Sequence, residues 1–275
     1  MSKKFLGIIC LLLSIDSIGQ QNSPLIQMIE AEKRFAAHAG SDGVQQAFMK
    51  FLDDSAKVFE KGTIALGKEV WKDRKTDSLG LAWYPEFAEV SASGDLGYTT
   101  GPWQLRMKRS NETPDATGYF NTIWKKDRRG EWKALIDIGT ASEFAEYDEG
   151  KVDYINKEAT LKKAGKRKQP RKADTSDIKN IEESFIANYA EGKGYMKYAS
   201  KAARYIRPGK PVMKGSLEGD TSKFVYRYAG GGVAASHDLG YSYGYLEASG
   251  RQGNYLRVWK KEGDEWMIVL DMASF

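Results

Sequence analysis

One stretch of sequence occurs twice in this chain of 275 residues, and it constrains the fold more than any other feature. The tetrapeptide Asp-Leu-Gly-Tyr begins at Asp95 and again at Asp238, 143 positions later. Each copy continues through an aromatic run to Trp-Lys-Lys and closes on an apolar run that ends in an aspartate, Asp137 or Asp271. A repeat of this length indicates two copies of one domain rather than a solenoid of small units. We interpret Asp95 and Asp238 as turn residues that accept backbone N–H bonds locally.

The hydrophobic patterns follow the same order in both copies. Each copy opens with apolar residues at helical spacing, near Leu25 in the first and near Ile178 in the second. Strand-like runs separated by turn residues follow, at 81–92, 96–108, 117–126 and 131–139, and at 224–235, 239–248, 253–261 and 265–273. Helices followed by a meander of long strands predict an α+β fold, in which two tandem domains each pack N-terminal helices on a curved antiparallel sheet.

The N-terminal residues are typical of a secretory signal peptide, which we assign to residues 1–19. Lys3 and Lys4 precede an apolar run that is too short to span a bilayer. An N-terminal anchor or a buried helix is the alternative. With a signal peptide, the protein is exported and is periplasmic or secreted. Cys10 is the only cysteine, so cleavage leaves a mature chain without a disulfide or a thiolate metal ligand.

Residues 22–140 and 175–275 are the two predicted domains, and residues 141–174 form a basic linker between them. Within it, residues 157–172 carry eight lysines and arginines against one acidic residue, Glu158. Such a charge run is typical of a solvated tether, and a contact with an anionic surface is the alternative. No aromatic residue is interleaved with these charges, so we expect no nucleic-acid partner. No later segment approaches the ~18 apolar residues that span a membrane, so we expect no stable membrane insertion.

Two motifs accompany this order of elements: Gly-Lys-Glu-Val-Trp, which begins at Gly67, and Gly-Asp-Leu-Gly-Tyr, which begins at Gly94. Together they resemble the nuclear transport factor 2-like superfamily, which includes ketosteroid isomerase-like and polyketide-cyclase-like proteins. The resemblance is stronger over residues 22–140 than over residues 175–275. It implies cone-shaped domains in which the sheet curls around the first helix and leaves a deep apolar cavity. It also implies pairing through the opposite sheet face, as an intramolecular pseudo-dimer or as a homodimer.

Two glutamates stand on the apolar faces of the predicted first helices. Glu32 in the first copy aligns with Glu182 in the second. Because an ionised carboxylate on an apolar face costs desolvation unless it is hydrogen-bonded, each is a candidate pocket carboxylate with a raised pKa. The alternative is a structural glutamate bonded to backbone groups.

The last strand-like run of each copy ends in an aspartate, Asp137 or Asp271. Strict alternation along the strand places Trp132, Ala134, Ile136 and Ile138 on one face and Asp137 on the other face. If the aspartate faces the cavity, Asp137 pairs with Glu32 and Asp271 with Glu182, and two close carboxylates divide acid and base roles. We select Glu32 and Asp137 as candidate catalytic residues, and Glu182 and Asp271 as candidate ligand-binding residues. A cap or a cross-strand ion pair is the alternative for the aspartates.

The first copy is dense in aromatic residues that are candidates for a ligand-binding wall, namely Trp71, Trp83, Tyr84, Trp103 and Tyr119. Packing in the core or at a dimer face is the alternative. The sequence holds two dispersed histidines, which predicts no metal site, and it holds no nucleotide-binding motif, so we expect no cofactor.

Three functions remain open at this point. The leading hypothesis is an exported protein that binds a small, largely apolar organic ligand in the first cavity. The second is a cofactor-free isomerase, cyclase or dehydratase that uses Glu32 and Asp137 as base and acid. The third is a non-catalytic interaction protein of the cell envelope. A fold shared by enzymes, binders and transport factors does not decide among them.

Overall fold

The computed structural model describes residues 23–76, 78–147, 149–150, 152–154, 175–215, 217 and 222–275. The predicted signal peptide and the basic run 157–172 lie outside these residues. The fold is α+β, with two sheets and few helices, as the sequence predicts. Across the described ranges, no helix has both the length and the apolar character needed to cross a membrane.

The first unit comprises the described residues from 23 to 154. Its elements are α1 (Pro24–Ser41), α2 (Val44–Phe51), β1 (Leu52–Glu60), β2 (Thr63–Leu66), α3 (Gly67–Trp71), β3 (Gly80–Trp83), β4 (Phe87–Val90), β5 (Leu96–Arg106), β6 (Ala116–Lys126), β7 (Trp132–Ala141) and β8 (Asp153–Tyr154).

The second unit comprises the described residues from 175 to 275. Its elements are α4 (Ser176–Ala190), α5 (Gly194–Tyr198), β9 (Ala199–Ile206), β10 (Met213–Lys214), β11 (Val225–Val233), β12 (Leu239–Ala248), β13 (Arg251–Glu262) and β14 (Glu265–Ser274).

The two sheets share one strand order. The first runs β2-β1-β7-β6-β5-β4-β8, with β3 also paired to β5, and the second runs β10-β9-β14-β13-β12-β11. In each unit the first long strand pairs in parallel with the last, β1 with β7 and β9 with β14, whereas the meander is antiparallel. The predicted single strand at 81–92 is two strands, because β3 ends at Trp83 and Pro85, which lacks a backbone N–H, interrupts the ladder.

Helix α1 packs its apolar face onto one face of the first sheet. Ser23 caps the helix through a bond from the Ile26 N–H to its hydroxyl, and Pro24 follows as the first helical residue. Apolar residues at three- and four-residue spacing are buried along the helix. Phe35 lies edge-on to Trp83, with ring centroids 4.9 Å apart. This packing places Glu32, which is also fully buried, beneath the sheet.

A β-bulge in the last strand of each sheet changes which residues share a face. In β7 the pairing with β6 slips between Ile123 and Trp124, so Leu135 has no partner in the ladder. Trp132 therefore packs in the helix-side core, while Ile136 packs on the opposite face. The prediction of one uninterrupted apolar face was wrong, because a bulge inserts one residue and shifts the alternation after it. The bulge turns Asp137 towards the helix side.

The sheet faces opposite the helices meet in a shared apolar cluster. Residues of β4 to β7 contact residues of β9 and β12 to β14 there. Its large members are Phe87, Leu96, Tyr98, Tyr119, Ile123, Ile136 and Ile138 from the first unit, and Ile206, Leu239, Tyr241, Leu256, Val258, Leu270 and Met272 from the second. The two units thus bury these sheet faces against one another.

The repeated Asp-Leu-Gly-Tyr motif lies at this contact. The Ala92 N–H donates to the Asp238 carboxylate at 3.0 Å, and the Ala235 N–H donates to Asp95 at 3.2 Å. The hydroxyls of Ser93 and Ser236 lie 2.8 Å apart between them. The two aspartates were expected to accept backbone N–H bonds locally, but the backbone N–H bond that each accepts here comes from the other unit. The exchange is reciprocal, as in an isologous interface.

We expect the double substitution Asp95→Ala and Asp238→Ala to lower the free energy of unfolding by about 2 kcal/mol, because each change leaves a partly buried backbone N–H without its acceptor. In a chain of this size that loss corresponds to roughly 5 °C in melting temperature. Thermal unfolding followed by circular dichroism measures it. Asp54, whose side chain is 94% exposed, provides the control Asp54→Ala. A double variant that melts with the wild type would show that the exchange does not stabilise the pair.

Candidate functional site

A cavity of about 360 Å³ opens on the helix side of the first sheet. It is bounded by α2, α3, β1, β3 and the ends of β5 to β7. Its wall is mostly apolar and aromatic. The apolar and aromatic residues that line it are Val44, Phe48, Val58, Phe59, Trp71, Leu79, Leu81, Trp83, Trp103, Leu105 and Phe120. Three of the five aromatic residues selected from the sequence, Trp71, Trp83 and Trp103, line it together.

Asp137 is the ionisable group on the inner wall of this cavity. It stands opposite Thr122 on β6 and beside Val58 on β1. The Thr122 hydroxyl donates to its Oδ2 at 3.1 Å. Burial, and secondly the nearby carboxyl of Glu32, raise the pKa of Asp137 to about 7. A carboxyl with that pKa both accepts and donates protons near neutral pH.

Glu32 lies behind the cavity wall rather than in it. Its carboxylate accepts bonds from Trp83 Nε1 at 2.6 Å, from the Thr99 hydroxyl at 2.5 Å and from Trp124 Nε1 at 2.8 Å. Burial raises its pKa, and these bonds oppose the increase. Glu32 is therefore a buried carboxylate outside the cavity, bonded to side chains rather than to backbone groups, and its charge contributes to the raised pKa of Asp137.

The cavity mouth carries an ion pair that the sequence reasoning missed. Glu60, at the end of β1, pairs with Arg74 after α3, and both line the cavity. The Arg74 guanidinium lies 4.5 Å from the ring centroid of Trp71, and Trp71 stacks on Phe48 at 3.9 Å. The periodicity of the sequence could not indicate Arg74, because Arg74 lies after α3, a helix of five residues that is too short to show a regular pattern.

Two of the aromatic residues selected as ligand-binding lie elsewhere. Tyr84 borders a separate surface groove, where its ring meets that of Tyr147 edge-on at 5.4 Å. Tyr119 lies in the cluster between the two sheets, and its hydroxyl donates to the Phe144 carbonyl at 2.9 Å. Because neighbouring strand residues point to opposite faces, Tyr119 is directed away from the cavity that Phe120 lines.

The second unit holds the aligned carboxylates in an ion-pair network. Arg257 Nη1 bonds to Glu182, and Arg257 Nε lies 2.9 Å from Asp271 Oδ2. Arg207 Nη1 lies 3.3 Å from Asp271 Oδ1, and the Tyr195 hydroxyl donates to Oδ2 at 2.7 Å. Burial alone would raise the pKa of Asp271. The charges of Arg257 and Arg207 nevertheless hold this pKa below its usual value of 3.8.

This network closes the centre of the second unit. Glu182, Asp271 and Arg257 are fully buried, and Arg207 is 1% exposed. The two carboxylates are therefore brought together as predicted, but they are joined by arginines and shielded from solvent. The arginines could have been found by aligning the repeats, because Arg257 takes the place of Thr122 when Trp259 is aligned with Trp124.

Metal-binding clusters are absent from the described part of the chain, where no group of three or more His, Cys, Asp or Glu side chains is arranged to hold a metal ion.

Comparisons with known proteins gave matches among solved structures alone. No protein-family model matches the sequence, and no curated protein matches it. An NTF-2 like protein of unknown function from Shewanella oneidensis MR-1 is 18% identical, with 41% of this chain matching 95% of that chain at a TM-score of 0.33.

Two further matches have the same extent. A ketosteroid isomerase-like protein from Erwinia carotovora atroseptica SCRI1043 is 15% identical, with 44% of this chain matching 97% of that chain at a TM-score of 0.34. An NTF2-like protein from Cytophaga hutchinsonii ATCC 33406 is 13% identical, with 37% of this chain matching 97% of that chain at a TM-score of 0.31. The chain is similar to these NTF2-like and ketosteroid isomerase-like proteins over 37 to 44% of its length.

Proposed function

We propose that the first unit binds a small, largely apolar organic ligand in its cavity, with Asp137 as the polar contact. The single observation that carries this proposal is an aromatic cavity of about 360 Å³ with one carboxyl on its inner wall. Sites for small organic molecules combine apolar walls with a few placed polar groups, and their volumes begin near 300 Å³.

The two units also differ in a way that favours binding in the first. The centre of the second unit is occupied by the Arg257 side chain and is closed to solvent. In the first unit, Leu81 and Trp103 at the cavity wall remain partly exposed. An apolar wall in contact with water favours occupation by an apolar ligand.

Gly139 offers a direct test, because it lines the cavity two residues after Asp137 on the same strand face. A Cβ there would meet nothing closer than Trp103 Nε1 at 3.4 Å, so a side chain fits without backbone strain. We expect Gly139→Leu to fill part of the cavity and to weaken binding of a naphthalene-sized neutral probe at least roughly tenfold. Isothermal titration calorimetry measures this affinity.

Gly139→Ala is the matched control, since it makes the same change in strand propensity with one carbon atom. It should bind the probe within about twofold of the wild type. Equal affinity in wild type and Gly139→Leu, with both variants folded, would place the bound probe outside this cavity.

A second candidate function is proton transfer by Asp137 in a cofactor-free isomerase, cyclase or dehydratase. The observation that favours it is the pKa of about 7, which burial and Glu32 produce. On this proposal Asp137 is the base that exchanges a proton with bound substrate, and Glu32 tunes it without touching substrate. Asp137→Asn should lower turnover by about 10²–10⁴-fold while the variant still binds the neutral probe. Turnover that survives the substitution would eliminate this candidate.

We further propose that the two units form an intramolecular pseudo-dimer in an exported protein. The shared apolar cluster and the reciprocal bonds at Asp95 and Asp238 support the pairing. The N-terminal sequence supports export, with Gln20 as the expected first residue of the mature chain. The third hypothesis, an interaction protein of the cell envelope, has no observation of its own in its favour.

A further inference from the structure

The second unit contains a chemical clue to what the first unit binds. Thr122 and Arg257 occupy equivalent positions, each on the strand beside the bulged last strand and each directly opposite the final aspartate. The glutamates behind them are also equivalent, as are the indoles of Trp124 and Trp259 that bond to those glutamates. The same arrangement of side chains thus occurs in both units, and a cationic side chain stands at its centre in the second unit but not in the first.

The partners of the two aspartates differ accordingly. Asp271 accepts from Arg257, Arg207 and Tyr195, through both of its carboxylate oxygens. Within the described residues, the hydrogen bond recorded for Asp137 comes from Thr122 alone, and no ion pair joins Asp137 to a basic side chain. Asp137 therefore faces the cavity with capacity for further donors.

The surroundings of the Arg257 guanidinium show what this arrangement accommodates. It lies 3.9 Å from the ring centroid of Phe185, 4.8 Å from that of Tyr226 and 4.9 Å from that of Tyr255. Aromatic faces attract cations, and more strongly where water is excluded. The cavity that Asp137 faces in the first unit is also lined by indole and phenyl rings.

The carboxylates of Asp137 and Glu32 determine which ligand charge the cavity favours. A ligand carboxylate or phosphate would meet the like charges of Asp137 and of Glu32 behind it. A neutral hydroxyl would satisfy one oxygen of Asp137 without compensating its charge. A protonated nitrogen would donate a hydrogen bond to Asp137 and would also compensate its charge, as Arg257 does for Asp271 and Glu182.

We propose that the ligand of the first unit is an organic cation, with a protonated nitrogen placed against Asp137 and a flat apolar body against the aromatic wall. This inference rests on the proposed ligand-binding function and names the chemical class of that ligand. The second unit carries the equivalent cation as part of its own chain, which is why its centre is closed.

Three probes of one shape but different charge test the inference: 2-(1-naphthyl)ethylamine, 2-(1-naphthyl)ethanol and 1-naphthylacetate. Titration calorimetry of the full chain at pH 8 keeps Asp137 ionised and the amine protonated. We expect the amine to bind about tenfold more tightly than the alcohol, and the carboxylate most weakly. In Asp137→Asn the amine and the alcohol should bind within about twofold of each other, with the affinity of the alcohol unchanged. Asp54→Asn, at an exposed position, should retain the preference.

A second measurement uses the wild type alone and does not depend on a variant that folds. At pH 6 Asp137 is mostly protonated, and a tenfold preference of the amine for the ionised carboxyl lowers its pKa by about one unit, so binding of the amine should release roughly 0.4 proton, and binding of the alcohol none. Calorimetry in buffers of different ionisation enthalpy measures that number. The other ionisable groups of the cavity, Glu60 and Arg74, are already paired with each other.

The outcomes separate the inference from the function on which it rests. Equal affinities for amine and alcohol in the wild type, or amine binding without proton release, would overturn the inference and leave a neutral-ligand site standing. A preference for the amine that persists in Asp137→Asn would also overturn it. Failure of all three probes to bind would overturn both the inference and the proposed binding function.

Discussion

Replacing Arg257 with methionine is expected to lower the free energy of unfolding by about 3–5 kcal/mol. The guanidinium is fully buried and bonds to both Glu182 and Asp271, which are themselves fully buried. Without it, Glu182 loses its cationic partner, and Asp271 retains the Arg207 cation and the Tyr195 hydroxyl. A buried carboxylate without a counter-ion is among the most costly defects that a folded chain can carry. Urea unfolding monitored by tryptophan fluorescence measures the loss.

Two further variants show whether the effect comes from the charges. Arg129→Met changes an exposed arginine in the β6–β7 turn and should alter stability by less than about 0.5 kcal/mol. Removing all three charges together, with Arg257→Met, Glu182→Gln and Asp271→Asn, should recover a large part of the loss, because no unpaired carboxylate remains. If the single variant is as stable as the wild type, the network contributes little and the closed state of the second unit needs another cause.

Replacing Asp137 with asparagine is expected to stabilise the protein at pH 8 by about 2–4 kcal/mol and to leave it nearly unchanged at pH 4. The folded protein raises the pKa of this carboxyl from 3.8 to about 7. Between those values the folded state holds a proton that the unfolded state releases, so the wild type loses stability as pH rises from about 4 to about 7. Asparagine is isosteric and has no charge to bury. Denaturant unfolding at several pH values compares the two proteins.

Other carboxyls with shifted pKa values also make the free energy of unfolding depend on pH, in the wild type and in Asp137→Asn alike. The pKa of Glu32 is also raised, so part of the decline with pH should persist in Asp137→Asn. The lowered pKa of Asp271 acts in the opposite direction and only in acid, since its contribution is lost as pH falls below 3.8. Asp264→Asn, in the exposed β13–β14 turn, is the control. Parallel stability curves for wild type and Asp137→Asn would show that Asp137 titrates normally.

Much of the architecture could be predicted because it depends on local periodicity and on the repeat. Apolar residues at helical spacing gave α1 and α4, and alternating runs gave most strands. Glu32 was conspicuous for the same reason, since a carboxylate on an apolar stripe stands out against its neighbours. The site residues Trp71, Trp83 and Trp103 were selected as aromatic residues alone, and the structure brings them together with Asp137.

What could not be predicted depends on small departures from regular geometry. A single unpaired residue in β7, Leu135, reverses the faces of the strand, and no sequence pattern signalled it. The face of Asp137 was therefore undecided, although the bulge determines it. Tyr119 was misplaced for a related reason, because an aromatic residue fits a cavity wall and a sheet interface equally well.

The first unit exposes the uncompensated carboxyl of Asp137 to its cavity, whereas the second unit neutralises the equivalent carboxyl of Asp271 with arginine. A carbon-detected NMR titration of the aspartate side chains in the intact protein measures this difference. Asp137 should titrate near pH 7, and Asp271 should titrate below the usual value of 3.8. If Asp137 titrates at or below 3.8, or if the two aspartates titrate together, the two units do not differ as described.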